Sequence, residues 1–286
     1  MSAEVDPTAL CEARTIGKGS RVLAFARIGP EVEIGSDCVV GAHTVLEGEI
    51  TLADRVQLQA GARLLGPISV GPGAVIGSNA VLAASDPAGG AWAIVVGRGA
   101  VVKAGSVVAE SVPANAVVSG NPARIVAYVD GGHEATVREI VLPSAGADVT
   151  ETEVRGVAIH TLTNARDLRG SLTAAEFSSL PFLPRRLFTV HDVPSESVRG
   201  SHAHRECSQF LVCLAGTLSC LVDDGSAREE IRLANAEVGL HIPPMIWSTQ
   251  WRYSRDAVLL VLASHPYDPA DYIRDYEEFL ELLERG

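Results

Sequence analysis

The stretch T-I-G-K-G-S-R-V-L-A-F-A-R-I-G-P-E-V-E-I-G-S-D-C-V-V-G, residues 15–41, sets an aliphatic side chain at Ile16, Val22, Ile28, Ile34 and Val40. The interval of six continues without a miss through Leu46, Leu52, Leu58, Leu64, Val70, Ile76 and Leu82. Glycine follows the aliphatic residue at Gly29, Gly35, Gly41, Gly71 and Gly77. The fifth residue of the hexad is small or β-branched at Ser20, Ala26, Val32, Cys38, Thr44, Val56, Ala62, Ala74 and Ala80. Helices repeat every 3.6 residues and strands every two, so neither generates this period. A parallel β-helix with three short faces per coil does. One aliphatic side chain per face points to the axis, a small one fits beside it, and glycine serves the corner. The register breaks at Pro87, where A-G-G-A-W-A-I-V (88–95) does not fit six. It resumes at Val96-Gly97, Val102 and Val108, and V-P-A-N-A-V-V-S-G-N-P-A-R-I-V closes the segment.

At 286 residues the chain has room for two domains. A net charge of -12 argues against nucleic acid and anionic membranes as partners, while leaving room for a local basic pocket. Cys11, Cys38, Cys207, Cys213 and Cys220 are odd in number and form no C-x-x-C pair, which fits reduced thiols in the cytoplasm. The N-terminus lacks a basic start followed by an apolar run, and no apolar stretch approaches membrane-spanning length. Residues 131–152, with Gly131-Gly132, Pro143 and Gly146, have the composition of a linker, with a short strand over 137–142. The expected division is 1–130 for the β-helix, 131–152 for the connection and 153–286 for a second domain.

From Gly156 the pattern changes to short strands between turn residues, which predicts an antiparallel barrel or sandwich. The expected strands cover 157–162, 186–190, 209–215, 218–222, 229–233, 238–242 and 258–263. The tail D-P-A-D-Y-I-R-D-Y-E-E-F-L-E-L-L-E-R reads as a closing helix, with Pro269 in its first turn and Tyr272, Tyr276, Phe279, Leu280 and Leu283 on one face. Its chemical feature is V-R-G-S-H-A-H-R-E-C-S-Q-F-L-V-C-L-A-G-T-L-S-C-L-V-D-D-G, residues 198–225. His202 and His204 stand two apart, so on a strand both imidazoles face one side. Such a pair can move protons near neutral pH or hold a metal. A small barrel with histidines near one strand resembles a cupin, and the metal-binding cupins usually add a carboxylate and a later histidine. Glu206 can supply the first, but S-T-Q-W-R-Y after Trp247 carries no histidine and His241 lies off the usual position.

The hexads with the G-N-P-A-R ending resemble the hexapeptide-repeat acyltransferases, whose fold is the left-handed β-helix, over roughly residues 13–128. The opening hexads resemble those of N-acyltransferases acting on nucleotide-linked amino sugars. That resemblance implies a homotrimer with acetyl-CoA or another acyl-CoA lying along the coils. Acyl transfer to an amine needs a proton acceptor and an oxyanion donor. The candidates are His43, at an outward hexad position, and Asn79, Ser85 and Asp86 near the register break.

D-L-R-G-S-L from Asp167, R-G-S-H-A-H-R-E-C-S-Q-F-L-V-C-L-A-G-T from Arg199 and V-L-A-S-H-P-Y-D-P-A-D-Y-I-R-D-Y from Val261 resemble the cupin sugar 3,4-ketoisomerases that act on dTDP-4-dehydro-6-deoxyglucose. The resemblance implies catalysis by His202 and His204 without a metal. Arg199 is a donor to sugar or diphosphate oxygens by the chemistry of guanidinium. Arg169 and Glu176 are further substrate-binding candidates, whereas His191 and His241 read as packing or surface residues. Ser248 stands where the relatives carry histidine, and Thr189 where they carry tyrosine. The expected fold is therefore all-β: an N-terminal left-handed parallel β-helix, then a cupin barrel with a short C-terminal helix. The expected activity is ketoisomerisation by the cupin with N-acylation of a dTDP-3-amino sugar by the β-helix. A second reading makes the β-helix a trimerising scaffold, and a third makes the barrel a metal-dependent cupin or a sugar-binding module.

Overall fold

The computed structural model describes residues 2–84, 93–130, 133–134, 137–140, 149–194 and 198–285. The chain divides into two compact units, Met1–Glu134 and Ala135–Gly286.

In the first unit, strands of two or three residues stack into three parallel sheets. Partners are eighteen residues apart, as in Val39 with Gln57 and Gln57 with Val75, or Val45 with Arg63 and Arg63 with Val81. Three hexads therefore make one coil. The hexad aliphatics from Val22 to Leu82 are buried, and so are the small residues Ser20, Ala26, Cys38, Thr44, Ala62, Ala74 and Ala80 beside them. Only Ile16, in the outermost coils, is half-exposed. Glycine after the aliphatic residue has a steric cause. A Cβ on Gly41 would lie 2.6 Å from the Gln59 carbonyl carbon, and one on Gly77 would lie 2.5 Å from the Ala104 nitrogen.

Beyond Leu82 the pairing interval widens, joining Ile68 to Ile94, Val75 to Val101 and Val81 to Val107. The coil resumes with Ile94–Val96, whose Ile94 and Val96 side chains are buried. Ile94 and Val96 point inward together as Ile50 with Leu52 and Ile68 with Val70 do in the preceding coils, so the face keeps its pattern across the widened interval. Ala116–Gly120 continues the parallel stack and then pairs antiparallel with Ala123–Asp130, which covers the last coil's open edge.

The second unit is a sandwich of two six-stranded sheets, the cupin architecture. In strand order, one sheet holds Val137–Glu139, Arg228–Leu233, Leu218–Asp223, Trp247–Trp251, Arg199–His204 and Tyr272–Ile273. The other holds Val149–Glu151, Ala158–Thr161, Val238–Ile242, Gln209–Ala215, Val258–Ala263 and Arg186–His191. Leu211, Cys213, Cys220, Val222, Ile231, Leu240, Leu259 and Val261 fill the space between them. The cysteines serve here as small buried hydrophobes, and burial pushes the Cys213 thiol up to about 11. Val137–Glu139, within the stretch that reads as a linker, lies along Arg228–Leu233 as a sheet edge.

Three elements differ from the sequence expectation. Thr163–Asp167 and Gly170–Ala174 form a separate hairpin, hidden in sequence by its mixed polar residues. Trp247–Trp251 is a fully buried strand with three polar residues, Ser248, Thr249 and Gln250, between two tryptophans. The tail is helical only over Tyr276–Arg285. Ahead of it, Pro269–Asp271 forms one 3₁₀ turn capped by the Asp268 carboxylate, and Tyr272–Ile273 is extended against Ala203 and His204. Helical periodicity across the whole tail is overridden because the backbone of Tyr272–Ile273 completes the sheet beside the histidines. Among the described residues no helix is long and apolar enough to cross a membrane.

Candidate active site

Strand alternation explains the spacing of the histidine pair. Ala203, fully buried, points outward into a cluster with Trp247, Ile273 and Phe279 under the C-terminal helix. His202 and His204 therefore point the other way, and their Nε2 atoms lie 3.2 Å apart. His204 is 6% exposed and held on three sides. Its Nδ1 lies 2.6 Å from Asp271 Oδ2, and its Nε2 lies 3.1 Å from the Gln209 side-chain amide. The Tyr272 ring packs on both imidazoles, with centroids 4.8 Å from His202 and 4.4 Å from His204. The Arg274 guanidinium covers Tyr272 at 4.5 Å.

Asp271 is itself fixed. Its Oδ1 accepts the Glu206 amide at 2.7 Å, and its carbonyl accepts the Arg205 amide at 2.9 Å. Burial pushes the Asp271 carboxyl up, but the Glu206 amide and His204 outweigh it, so it lies below its usual range and is ionised. Burial pushes His204 down against the pull of Asp271, with Arg186 and Arg274 adding to the drop. The two directions agree on an ionised carboxylate that accepts Nδ1–H from a neutral imidazole. That tautomer leaves the Nε2 lone pair of His204 to accept from the Gln209 amide, with His202 Nε2 beside it. Burial first, and then the neighbouring His204, bring His202 down to about 4, opposed by a bond to the Gly200 backbone. At neutral pH the pair is thus uncharged, and His204 disfavours a proton on His202. The arrangement can take up one proton and share it between the two Nε2 atoms.

Arg199 reaches the histidine face through a bulge. Arg199 pairs with Gln250 and His202 with Ser248, and Ser201 between them takes a φ of 56°. Gln250 and Ser248 share a face, so Arg199 and His202 do as well, although simple alternation would place them on opposite sides. Ser248, small and buried, is directly across from His202. The other candidates lie elsewhere. Arg169, at the hairpin tip, is ion-paired with Asp167 on an exposed surface. Glu176 is exposed at the start of the 3₁₀ turn Phe177–Ser179. Neither shows a contact with the pair among the described residues. His191 is exposed beside Asp192, and Thr189 is exposed on the same strand. His241 packs at 6.2 Å from His160 and 6.0 Å from Phe182. That contact lies on the second sheet, whose Phe210, Val212 and Leu262 pack under Leu180 and Phe182.

In the β-helix, His43 and Asn79 are both exposed and occupy one corner column with Phe25 and Gly61, all at φ between 57° and 73°. The Ala24, Ala42 and Ala60 carbonyls accept the amides of His43, Gly61 and Asn79 in turn, which stacks the column. The His43 ring lies flat on Phe25, 5.1 Å between centroids. Asn79 folds its side chain over Gly61, which has no Cβ to obstruct it. Ser85 and Asp86 lie outside the described residues.

Sequence reasoning did not assign Gln209, Asp271, Tyr272, Arg186 or Arg274 to the site. Gln209 carried a signal, being a polar residue at the head of the apolar run F-L-V-C-L. The last two reach His204 by charge. Asp271 is 67 residues from its partner and carries no local pattern.

Residues 155–284 match the family described as FdtA: WxcM-like, C-terminal, and residues 15–48 match the bacterial transferase hexapeptide (six repeats). Over 118 residues the chain is 42% identical to the TDP-4-oxo-6-deoxy-alpha-D-glucose-3,4-oxoisomerase of Aneurinibacillus thermoaerophilus, covering 41% of this chain and 85% of that protein. Among solved structures, the Helicobacter canadensis 3,4-ketoisomerase is 35% identical, with 45% of this chain and 98% of that one covered at a TM-score of 0.44. QdtA, a sugar 3,4-ketoisomerase from Thermoanaerobacterium thermosaccharolyticum solved with TDP, is 32% identical, with 46% and 96% covered at a TM-score of 0.45. By its C-terminal half the chain belongs to the FdtA (WxcM-like, C-terminal) family of sugar 3,4-ketoisomerases, fused here to a hexapeptide-repeat domain of the bacterial transferases.

Proposed function

We propose that the cupin half isomerises dTDP-4-dehydro-6-deoxyglucose to the 3-keto sugar, with His202 and His204 carrying the proton. The observation that carries this is the 3.2 Å approach of their Nε2 atoms, backed by the ionised Asp271. Ketone transfer requires loss of the C3 proton, an enediol, and protonation at C4. The C3–H pair becomes the C3=C4 bond while the C4 carbonyl oxygen takes a proton. The C3 hydroxyl then gives up its proton as C3=O forms and C4 gains one. The molecular formula is unchanged, so the enzyme needs only a base that returns what it takes. A neutral imidazole held at low basicity by burial does this without being consumed by solvent protons, and general acid–base catalysis of this kind contributes typically ~10²–10⁴-fold. His202 and His204 serve as one unit, since a proton taken by either is shared with the other. Arg199, on the same face, supplies a cation for the sugar or diphosphate oxygens. Arg169 and Glu176, both on exposed surface, are proposed as further substrate-binding residues.

The β-helix half is proposed to N-acylate a dTDP-3-amino-3,6-dideoxyhexose from acetyl-CoA or another acyl-CoA, as a homotrimer in the cytoplasm. The amine attacks the thioester carbonyl, the C–S bond breaks, and CoA thiol leaves as the amine loses a proton. His43, with Asn79 two coils further along the same corner, is the candidate acceptor. Mixing the protein with an acyl-CoA and the dTDP-3-amino sugar and following free thiol tests this half. No thiol release and no acyl-CoA binding would leave the β-helix as a trimerising scaffold.

A further inference from the structure

We propose that His204, Cys207 and Asp271 form a binding site for a soft divalent cation such as Zn²⁺, whose occupancy switches the histidine pair off. A ring nitrogen of His204, the Cys207 thiol and an Asp271 carboxylate oxygen lie within 4.8 Å of one another. Zinc bonds of about 2.0–2.3 Å to N, O and S need donors somewhat closer than that, which a small inward shift supplies. The donors sit on a fixed frame. His204 and Cys207 flank a turn whose Arg205 and Glu206 amides are both bonded to Asp271. The set of imidazole, thiol and carboxylate favours zinc and its neighbours over the oxygen-seeking Mg²⁺ and Ca²⁺. It also differs from a metallocupin's set, because Cys207 takes the place of the late histidine.

The site adjoins open space at Asp271. A cavity of about 250 Å³, lined by Arg205, Glu206, His265, Pro266, Asp268, Ala270 and Asp271, is large enough for a hydrated ion beside the Asp271 donor. Cys207 is 3% exposed, and its neighbour is the Ser264 hydroxyl at 3.8 Å. Binding through the nitrogen that faces Asp271 requires the Nδ1 proton to move to Nε2, while the thiol releases its own proton to solvent. The ion thereby replaces the His204–Asp271 hydrogen bond and places N–H where the lone pair beside His202 had been. The inhibitory consequence rests on the isomerase reading above; the site itself does not.

The test is titration of the full chain with Co²⁺ alone, followed by its visible and near-ultraviolet spectrum. One equivalent should give a thiolate-to-cobalt charge-transfer band that Zn²⁺ displaces. Cys207→Ser should lose that band and weaken binding at least ten-fold, while metal-free isomerase activity stays within two-fold. The Zn²⁺ concentration for half-inhibition should rise at least ten-fold in the same variant. If Cys207→Ser does not fold, Asp271→Asn must keep the band but with at least ten-fold weaker binding. A missing band at one equivalent, or binding that neither substitution changes, overturns the site. Because the spectrum needs no turnover, a protein inactive on the keto sugar but showing the band would sink the isomerase reading and leave the site standing.

Discussion

Replacing Asp271 by asparagine removes one charge and leaves the frame. The backbone bond from Arg205 to the residue 271 carbonyl is untouched, and the asparagine oxygen can still accept the Glu206 amide. The amide nitrogen must then face His204 Nδ1, which lies 2.6 Å from the carboxylate in the native protein. Two N–H groups cannot point at each other, so the imidazole takes the opposite tautomer and puts its proton on Nε2, toward His202. A hydrogen bond to a charged group is worth about 1.5–3 kcal/mol, and each 1.4 kcal/mol is tenfold in rate. The expected loss is therefore roughly 10–150-fold in kcat, with KM changed little because Asp271 is placed behind His204. A purely structural role would not move the pH profile, but a positioning role does. Asp271 raises His204 toward its usual value, so its removal lowers that value and moves the acid limb of kcat/KM to lower pH. The assay is steady-state turnover of the keto sugar from pH 4.5 to 8, with circular dichroism to confirm the fold. A variant that folds, keeps kcat within two-fold and leaves the acid limb in place would refute the reasoning.

Tyr272→Ala removes the ring that packs on both imidazoles. At about 0.5–1.5 kcal/mol per aromatic contact, kcat should fall about tenfold, and Tyr272→Phe should restore most of it; an inactive Phe variant would assign the work to the hydroxyl instead. His202 and His241 are both brought to about 4 by burial, below the usual 6.5 of an unfolded histidine. Unfolding then takes up protons below pH 6.5. The stability these neutral rings carry is complete above 6.5 and is lost as pH falls to about 4, up to roughly 3 kcal/mol for His202 and less for the partly exposed, solvent-screened His241. Urea midpoints at pH 7 and 4.5 should converge more closely in His241→Gln than in the native protein, and an unchanged difference would remove His241 from the account. A Cβ at Gly239 would stand 2.0 Å from Cζ of the fully buried Phe210. Gly239→Ala should therefore cost at least about 1–3 kcal/mol in urea unfolding, whereas a neutral result would mean the ring has room to move.

The β-helix was legible because every hexad answers to the same axis. Eighteen residues close a coil, so an aliphatic miss at any position would leave a hole against two neighbours. Ile94 falls outside that count because the register breaks at Pro87, yet it and Val96 take the inward positions that Ile68 and Val70 take one coil earlier. The histidine pair was legible for a similar reason, since two positions on a strand share a face and Ala203 between them is small enough to pack under Trp247 and Phe279. Arg199 shows where alternation stops serving, because the bulge at Ser201 moves it onto the face its parity denies. Tyr272 was read onto a helical face and instead lies in an extended pair with His204. Asp271 meets His204 through the tertiary fold, and no spacing rule links residues 67 apart, whereas Gln209 stands only five residues from it.

The most direct test of the central claim is to incubate the protein with dTDP-4-dehydro-6-deoxyglucose in D₂O and follow the sugar by NMR. The 3-keto sugar should appear with exchange at the reacting carbons, and His202→Asn or His204→Asn should abolish both while the barrel stays folded. No 3-keto product from the native protein, or undiminished exchange in both variants, would contradict it.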